Sequence, residues 1–200
     1  MLQQILIIHG GTTFDTYEEY ISYLKNKETD PERLIVHDYW HSTLAKELGS
    51  DYQILLPKMP NASDARYQEW KIWFERIVRL LEDNFILIGH SLGGIFLAKY
   101  LSENTIKKTI KATILIAPPF DDSGSGESLT DFKLPTSLER FSGQGGKIYL
   151  FHSKDDPTVS FEQLEKYKKS LPKAESIIFT DKQHFNQENF PELAKLIRKI

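Results

Sequence analysis

Ser91 stands between Gly89 and Gly93 in the run FILIGHSLGGIF at 85–96, where an apolar stretch ends and a helical pattern begins. Such a serine can belong to a plain tight turn, or it can be a nucleophile on a strained strand-to-helix elbow. On an elbow, a side chain two positions to either side would strike the neighbouring strand or helix, so glycine sits there. A serine hydroxyl is a weak nucleophile at neutral pH and needs a base, usually a histidine. Of the six histidines, His9 and His90 adjoin glycines, His37 and His41 lie in an early segment, and His152 ends an apolar run. His184, in TDKQHFNQ, follows the last apolar run, where a parallel sheet would return it beside the elbow. The base in turn needs a carboxylate to hold its tautomer. LFHSKDDPTV supplies Asp155 and Asp156, of which one can serve His184 while the other forms an Asp-Pro turn or cap. The chain order serine, acid, histidine is then Ser91, Asp156, His184. An oxyanion needs two backbone donors: Leu92 N–H at the helix start, and Gly11 N–H from IIHGGT, or Thr12 N–H if that turn is shifted. Together these groups would carry out acyl transfer through an acyl-serine. That chemistry takes a small-molecule acyl substrate and needs no metal or organic cofactor.

These residues must be delivered by a scaffold, and the apolar pattern predicts one. Short runs rich in Ile, Leu and Val recur at 5–8, 52–56, 85–88, 112–117, 147–151 and 176–179. Most lack polar alternation, as strands buried on both faces of a parallel sheet do. Helical patterns lie between them at 17–27, 42–48, 64–82, 94–103, 161–170 and 188–200. In the third, Trp70, Trp73, Phe74, Ile77, Leu80 and Leu81 are expected on one face, with Ser63 or Asp64 as cap. The expected fold is α/β: about six mostly parallel strands in a single 1–200 domain, helices on both faces, and function at the carboxyl ends of the strands. Two segments exceed short connections, 12–39 and 118–135, the second with a Ser/Gly centre. Both leave strand ends at the functional edge, as lids, substrate walls or mobile surface loops. Tyr17, Tyr20, Trp40, Phe120 and Phe132 are aromatic residues that could line an acyl pocket or cover the sheet.

Composition narrows the partners. The 200 residues carry 25 basic and 28 acidic side chains, a formal charge of −3, without a basic run that would track nucleic acid. With no cysteine there is no disulfide and no thiolate, which fits a reducing compartment. The apolar run at 5–8 is too short for a signal-peptide core or a membrane span, so a soluble, cytoplasmic protein without nucleic-acid or membrane partners is expected. HDYWH at 37–41 is near the zinc pattern H-E-x-x-H, but it lacks a convincing third ligand and Asp38 is one methylene shorter than glutamate. GQGGK at 143–147 lacks the Ser or Thr of a phosphate loop and leads into a strand.

With IIHGG at the first strand, LIGHSLGG at the elbow, DDPTV after the fifth strand and DKQHF near the end, the chain resembles the α/β-hydrolase superfamily. Within it, the chain is similar to the small single-domain serine hydrolases related to retinoblastoma-binding protein 9 and to YdeN-like proteins. The resemblance spans almost the whole chain. It implies a six-stranded sheet without the first two strands of the larger fold, and hydrolysis of an ester, thioester or amide. The acid of such families commonly precedes Pro-x-Val, which favours Asp156 over Asp155. Ser153 and Gln183 stand where relatives often carry glycine, and 12–39 is longer than a short loop. The competing class is a non-catalytic scaffold of the same fold that binds a protein or small molecule; retention of all three triad residue types argues against it.

Overall fold

Six apolar runs become six strands, of which β1 (Gln3–Ile8), β3 (Phe85–His90), β4 (Ile110–Ile116) and β5 (Lys147–Ser153) are buried along most of their length, while β2 (Tyr52–Leu55) and β6 (Glu175–Phe179), at the sheet edges, are only partly covered. The structure, a computed structural model, describes residues 2–35, 37–123 and 128–200. The sheet runs β2-β1-β3-β4-β5-β6 and every pairing is parallel. Alternation along β1 sends Ile5 and Ile7 into one apolar layer and Leu6 and Ile8 into the other. The layer holding Leu6 is closed by α3 (Tyr67–Val78), α4 (Leu92–Glu103), α5 (Glu139–Gln144) and α6 (Glu162–Ser170). The layer holding Ile5 is closed by α2 (Trp40–Leu48) and α7 (Pro191–Ile197). Among the described residues, no helix is long and apolar enough to cross a membrane.

The two long segments differ in how they are held. The first, which includes the undescribed Val36, contains α1 (Tyr17–Asn26), started by a capping box in which Glu19 N–H donates to Thr16 Oγ1 at 3.1 Å. This helix forms where the pattern predicts it yet buries no residue. The second enters the core, although its centre at 124–127 lies outside the described residues. Leu129 and Phe132 are buried, and the Phe132 ring meets Trp70 edge-on with centroids 5.3 Å apart. Of the alternatives for this segment, a mobile surface loop therefore does not describe its second half.

Helix α3 also departs from the pattern. It starts at Tyr67, whose N–H donates to Asp131 Oδ2 at 3.0 Å, so the cap comes from the second long segment and not from Ser63 or Asp64. Asp64 instead receives both bonds of Arg66 Nη2, at 2.9 and 3.1 Å. The buried face is Tyr67, Trp70, Phe74, Val78 and Leu81, which leaves Trp73 40% exposed. The helix ends at Val78, so Leu80 drops out of the helical period and is 77% exposed.

Phe132→Ala should lower the unfolding free energy by about 3–5 kcal/mol in a denaturant titration, the range for emptying a core aromatic site. A change below about 0.5 kcal/mol, as at an ordinary surface site, would contradict the docking of this segment.

Candidate active site

The elbow is built by close approach. Ser91 joins β3 to α4 with φ 54° and ψ −122°, a conformation that costs on the order of 1–3 kcal/mol and persists only where surroundings dictate it. Ser91 N–H donates to Ile116 O at 2.8 Å, and Ser91 O accepts from Gly94 N–H at 2.8 Å. A Cβ at Gly89 would stand 2.5 Å from Gly93 O, and one at Gly93 would overlap the carbonyl of Ile8. Both glycines of the motif are thus required by packing.

His184 lies on the loop after β6, between Gln183 and Phe185, which have φ of 47° and 55°. Its Nδ1 is 2.9 Å from Asp156 Oδ2 and 3.1 Å from Oδ1. Because a carboxylate only accepts, Nδ1 donates in this bond, which selects the tautomer of the neutral ring that leaves the lone pair on Nε2. The Asp156 side chain is fully buried, and its Oδ1 also accepts from Thr158 and Val159 N–H at 2.8 and 2.9 Å. Asp155 does different work: its Oδ1 accepts from Gln183 N–H at 3.0 Å and from the Ser153 hydroxyl, fixing the loop that carries His184. Ser153 Oγ also accepts Lys182 N–H at 3.1 Å.

Two residues that the motifs did not single out complete this loop. His90 Nε2 donates to His184 O at 2.8 Å, and Trp40 Nε1 donates to Phe185 O at 2.9 Å. Burial, reinforced by the neighbouring His184, holds His90 down at about 3, so it serves as a neutral donor. Its neighbour position in GHSLG was visible; its partner 94 residues away was not.

Thr12 N–H donates to Ala62 O at 2.8 Å, which leaves Gly11 as the free candidate of the two alternatives. A Cβ at Gly11 would come 2.7 Å from Ala62 O. His9 Nε2 accepts Met59 N–H at 2.9 Å, so its Nδ1 carries the proton and donates to Gly10 O at 2.6 Å. Gly10 C=O and Gly11 N–H belong to one planar trans peptide and point in opposite directions, so His9 fixes the aim of Gly11 N–H. Leu92 N–H is in the first turn of α4, where amides lack intrahelical acceptors.

A cleft of about 940 Å³ is lined by Ser91 and His184 together with Gly11, His9, His41 and Tyr39. Burial and then His9 hold His41 below the ordinary histidine range. His37 precedes α2 while His41 lies in its first turn, so the two do not form an i, i+4 pair on one helix. Of the five aromatic residues considered for an acyl pocket, none lines this cleft. Trp40 and Phe132 are core, Phe120 packs edge-on against Tyr167, and Tyr17 and Tyr20 line a separate surface depression with Asn61 and Arg66.

Comparison with known proteins gives consistent matches. A family model described as serine hydrolase matches residues 36–196. Serine hydrolase RBBP9 of Rattus norvegicus is 26% identical over 165 residues, 80% of this chain and 86% of that protein. YdeN of Bacillus subtilis (strain 168) is 25% identical over 169 residues, covering 80% of this chain and 75% of that one. The crystal structure of the ydeN gene product from B. subtilis superposes with a TM-score of 0.77 at 19% identity, over 98% of this chain and 97% of the other. A thioesterase domain from the curacin biosynthetic pathway has the same fold, at a TM-score of 0.61 and 13% identity, over 98% of this chain and 91% of that one.

The neutral His90 has a consequence for acid stability. Folded, it takes no proton until about pH 3, whereas an exposed histidine takes one near 6.5. Between those values the unfolded chain binds the extra proton, so stability is full above about pH 6.5 and falls on acidification. In His90→Asn the unfolding free energy should fall less steeply than in the parent, by about 1.4 kcal/mol per pH unit between roughly pH 5.5 and 4. Parallel denaturation curves across that range would show that His90 is not held neutral.

Proposed function

Because the chain belongs to the serine hydrolase family, matched over residues 36–196, we propose that it is a carboxylesterase-like enzyme cleaving a small ester, thioester or amide. The reading rests above all on one observation: the cleft that exposes the strained Ser91 also holds His184, whose Nδ1 is tied at 2.9 Å to the buried Asp156. Ser91 Oγ attacks the acyl carbonyl while His184 Nε2 takes its proton. Asp156 orients the ring and stabilises the imidazolium. The N–H groups of Gly11 and Leu92 receive the oxyanion, each worth about 3 kcal/mol of barrier. His184 then protonates the leaving group, and water resolves the acyl-serine by the same route reversed. Support also comes from the relative named serine hydrolase RBBP9 and from the esterase domain of a Rhodothermus marinus protein, which shares the fold at a TM-score of 0.60. The cysteine-free composition suits a cytoplasmic setting for this enzyme.

A fluorophosphonate that labels activated serines should modify Ser91, as read by mass spectrometry of the peptide, and labelling should vanish in Ser91→Ala and His184→Ala. Absence of label on folded parent protein, beside a hydrolase that labels, would favour the binding-scaffold reading. Asp156→Asn should cut kcat on a reactive ester by about 10⁴. Asp155→Asn, which loosens only the loop, should cost far less; equal losses would overturn the assignment of Asp156.

A further inference from the structure

His152, on β5, is a fully buried histidine that makes no hydrogen bond with the groups proposed for catalysis. The Phe161 ring meets it edge-on, with centroids 5.7 Å apart. Its Nε2 is 4.0 Å from Asp156 Oδ2, too far for a hydrogen bond, and 2.9 Å from Val159 O. A carbonyl only accepts, so Nε2 carries a proton and donates it to Val159. Nδ1 is buried with no hydrogen-bond partner among the described residues. A proton on Nδ1 would be a stranded donor, so the ring is neutral; burial likewise holds His152 below the ordinary histidine range.

A leucine would fill this place without stranding a nitrogen, and an unsatisfied buried group calls for a reason. The other nitrogen supplies it. His152 and Val159 bracket Asp156 in the chain, and the bond between them closes the loop that carries the acid. Asp156 Oδ1 is held by Thr158 N–H at 2.8 Å and by Val159 N–H at 2.9 Å, which leaves Oδ2 to face His184 Nδ1 at 2.9 Å. Val159 is itself buried and lines a small space beside Ser91 with Leu92 and Leu129. Resting on the reading of Ser91, His184 and Asp156 as nucleophile, base and acid, we propose that His152 is the positioning residue of the acid. Through Val159 it fixes the amides that aim the Asp156 carboxylate at His184. Being neutral, it also leaves the charge of Asp156 to His184, which a second imidazolium 4.0 Å away would share.

The test is the rate constant for capture of a fluorophosphonate by Ser91, read from the time course so that it does not depend on the fraction of protein folded. His152→Leu should slow capture by at least about tenfold, since a displacement near 1 Å at a reacting group can cost about a hundredfold. Glutamine can place a side-chain N–H close to the position of histidine Nε2, so His152→Gln should stay within about threefold of the parent. In an Asp156→Asn background, His152→Leu should add less than about twofold, because a residue acting through Asp156 has nothing left to position. Should His152→Leu not fold, His152→Asn takes its place, polar like glutamine but one methylene too short to reach Val159. Capture unslowed by Leu or Asn, a Gln variant no better than either in rate or in folding, or the same loss in both backgrounds makes the ring a packing residue and overturns the proposal. An Asp156→Asn variant as fast as the parent overturns the acid assignment, and a folded parent that takes up no label overturns the nucleophile; the role of His152 falls with either.

Discussion

No side chain stands between the start of α4 and the end of β1, and the rest of the site depends on that contact. A methyl at Gly93 would overlap the Ile8 carbonyl, and one at Gly89 would meet Gly93 itself. Held this close, the helix start forces Ser91 out of the ordinary backbone regions and presents it at the sheet edge. The pairing of Ile8 with Gly89 then carries His9, Gly10 and Gly11 to the same edge. Ser91 and Gly11 are brought together by one registration of β1 against β3.

The other half of the site is assembled from greater sequence distances. The His184 loop contains two residues with left-handed φ and is held by backbone carbonyl bonds from His90 and Trp40, and by Asp155 and Ser153 from the end of β5. A loop of this kind gains little from its own chain and is ordered by its partners. Asp156 is buried yet shares its negative charge among two amides and an imidazole N–H, the arrangement that lets an ionised carboxylate stay dry.

The sheet and the elbow were legible in the sequence because their signals are local. A strand buried on both faces is apolar throughout, and G-x-S-x-G encodes its own steric reason. All six strands lie where the runs predict them, and His184 and Asp156 pair as the chain order implies. What escaped was set by contacts between segments far apart: the cap of α3 supplied by Asp131, the bond from His90 to His184 O, and the descent of Leu129 and Phe132 into the core. Helix α5, six residues of ERFSGQ, is too short to show a period. The aromatic residues stayed undivided for a related reason, since a ring that fills the core and a ring that lines a pocket look alike in composition.

The short helical turn at Thr130–Phe132 places a pocket wall and a core residue three positions apart, Leu129 and Phe132, with the cap of α3 between them. The wall beside Ser91 and the seating of α3 are therefore inherited together. A lineage cannot remodel that turn without drawing on the margin that keeps α3 attached to the sheet. Descendants in which this turn changed should have strengthened the core elsewhere first.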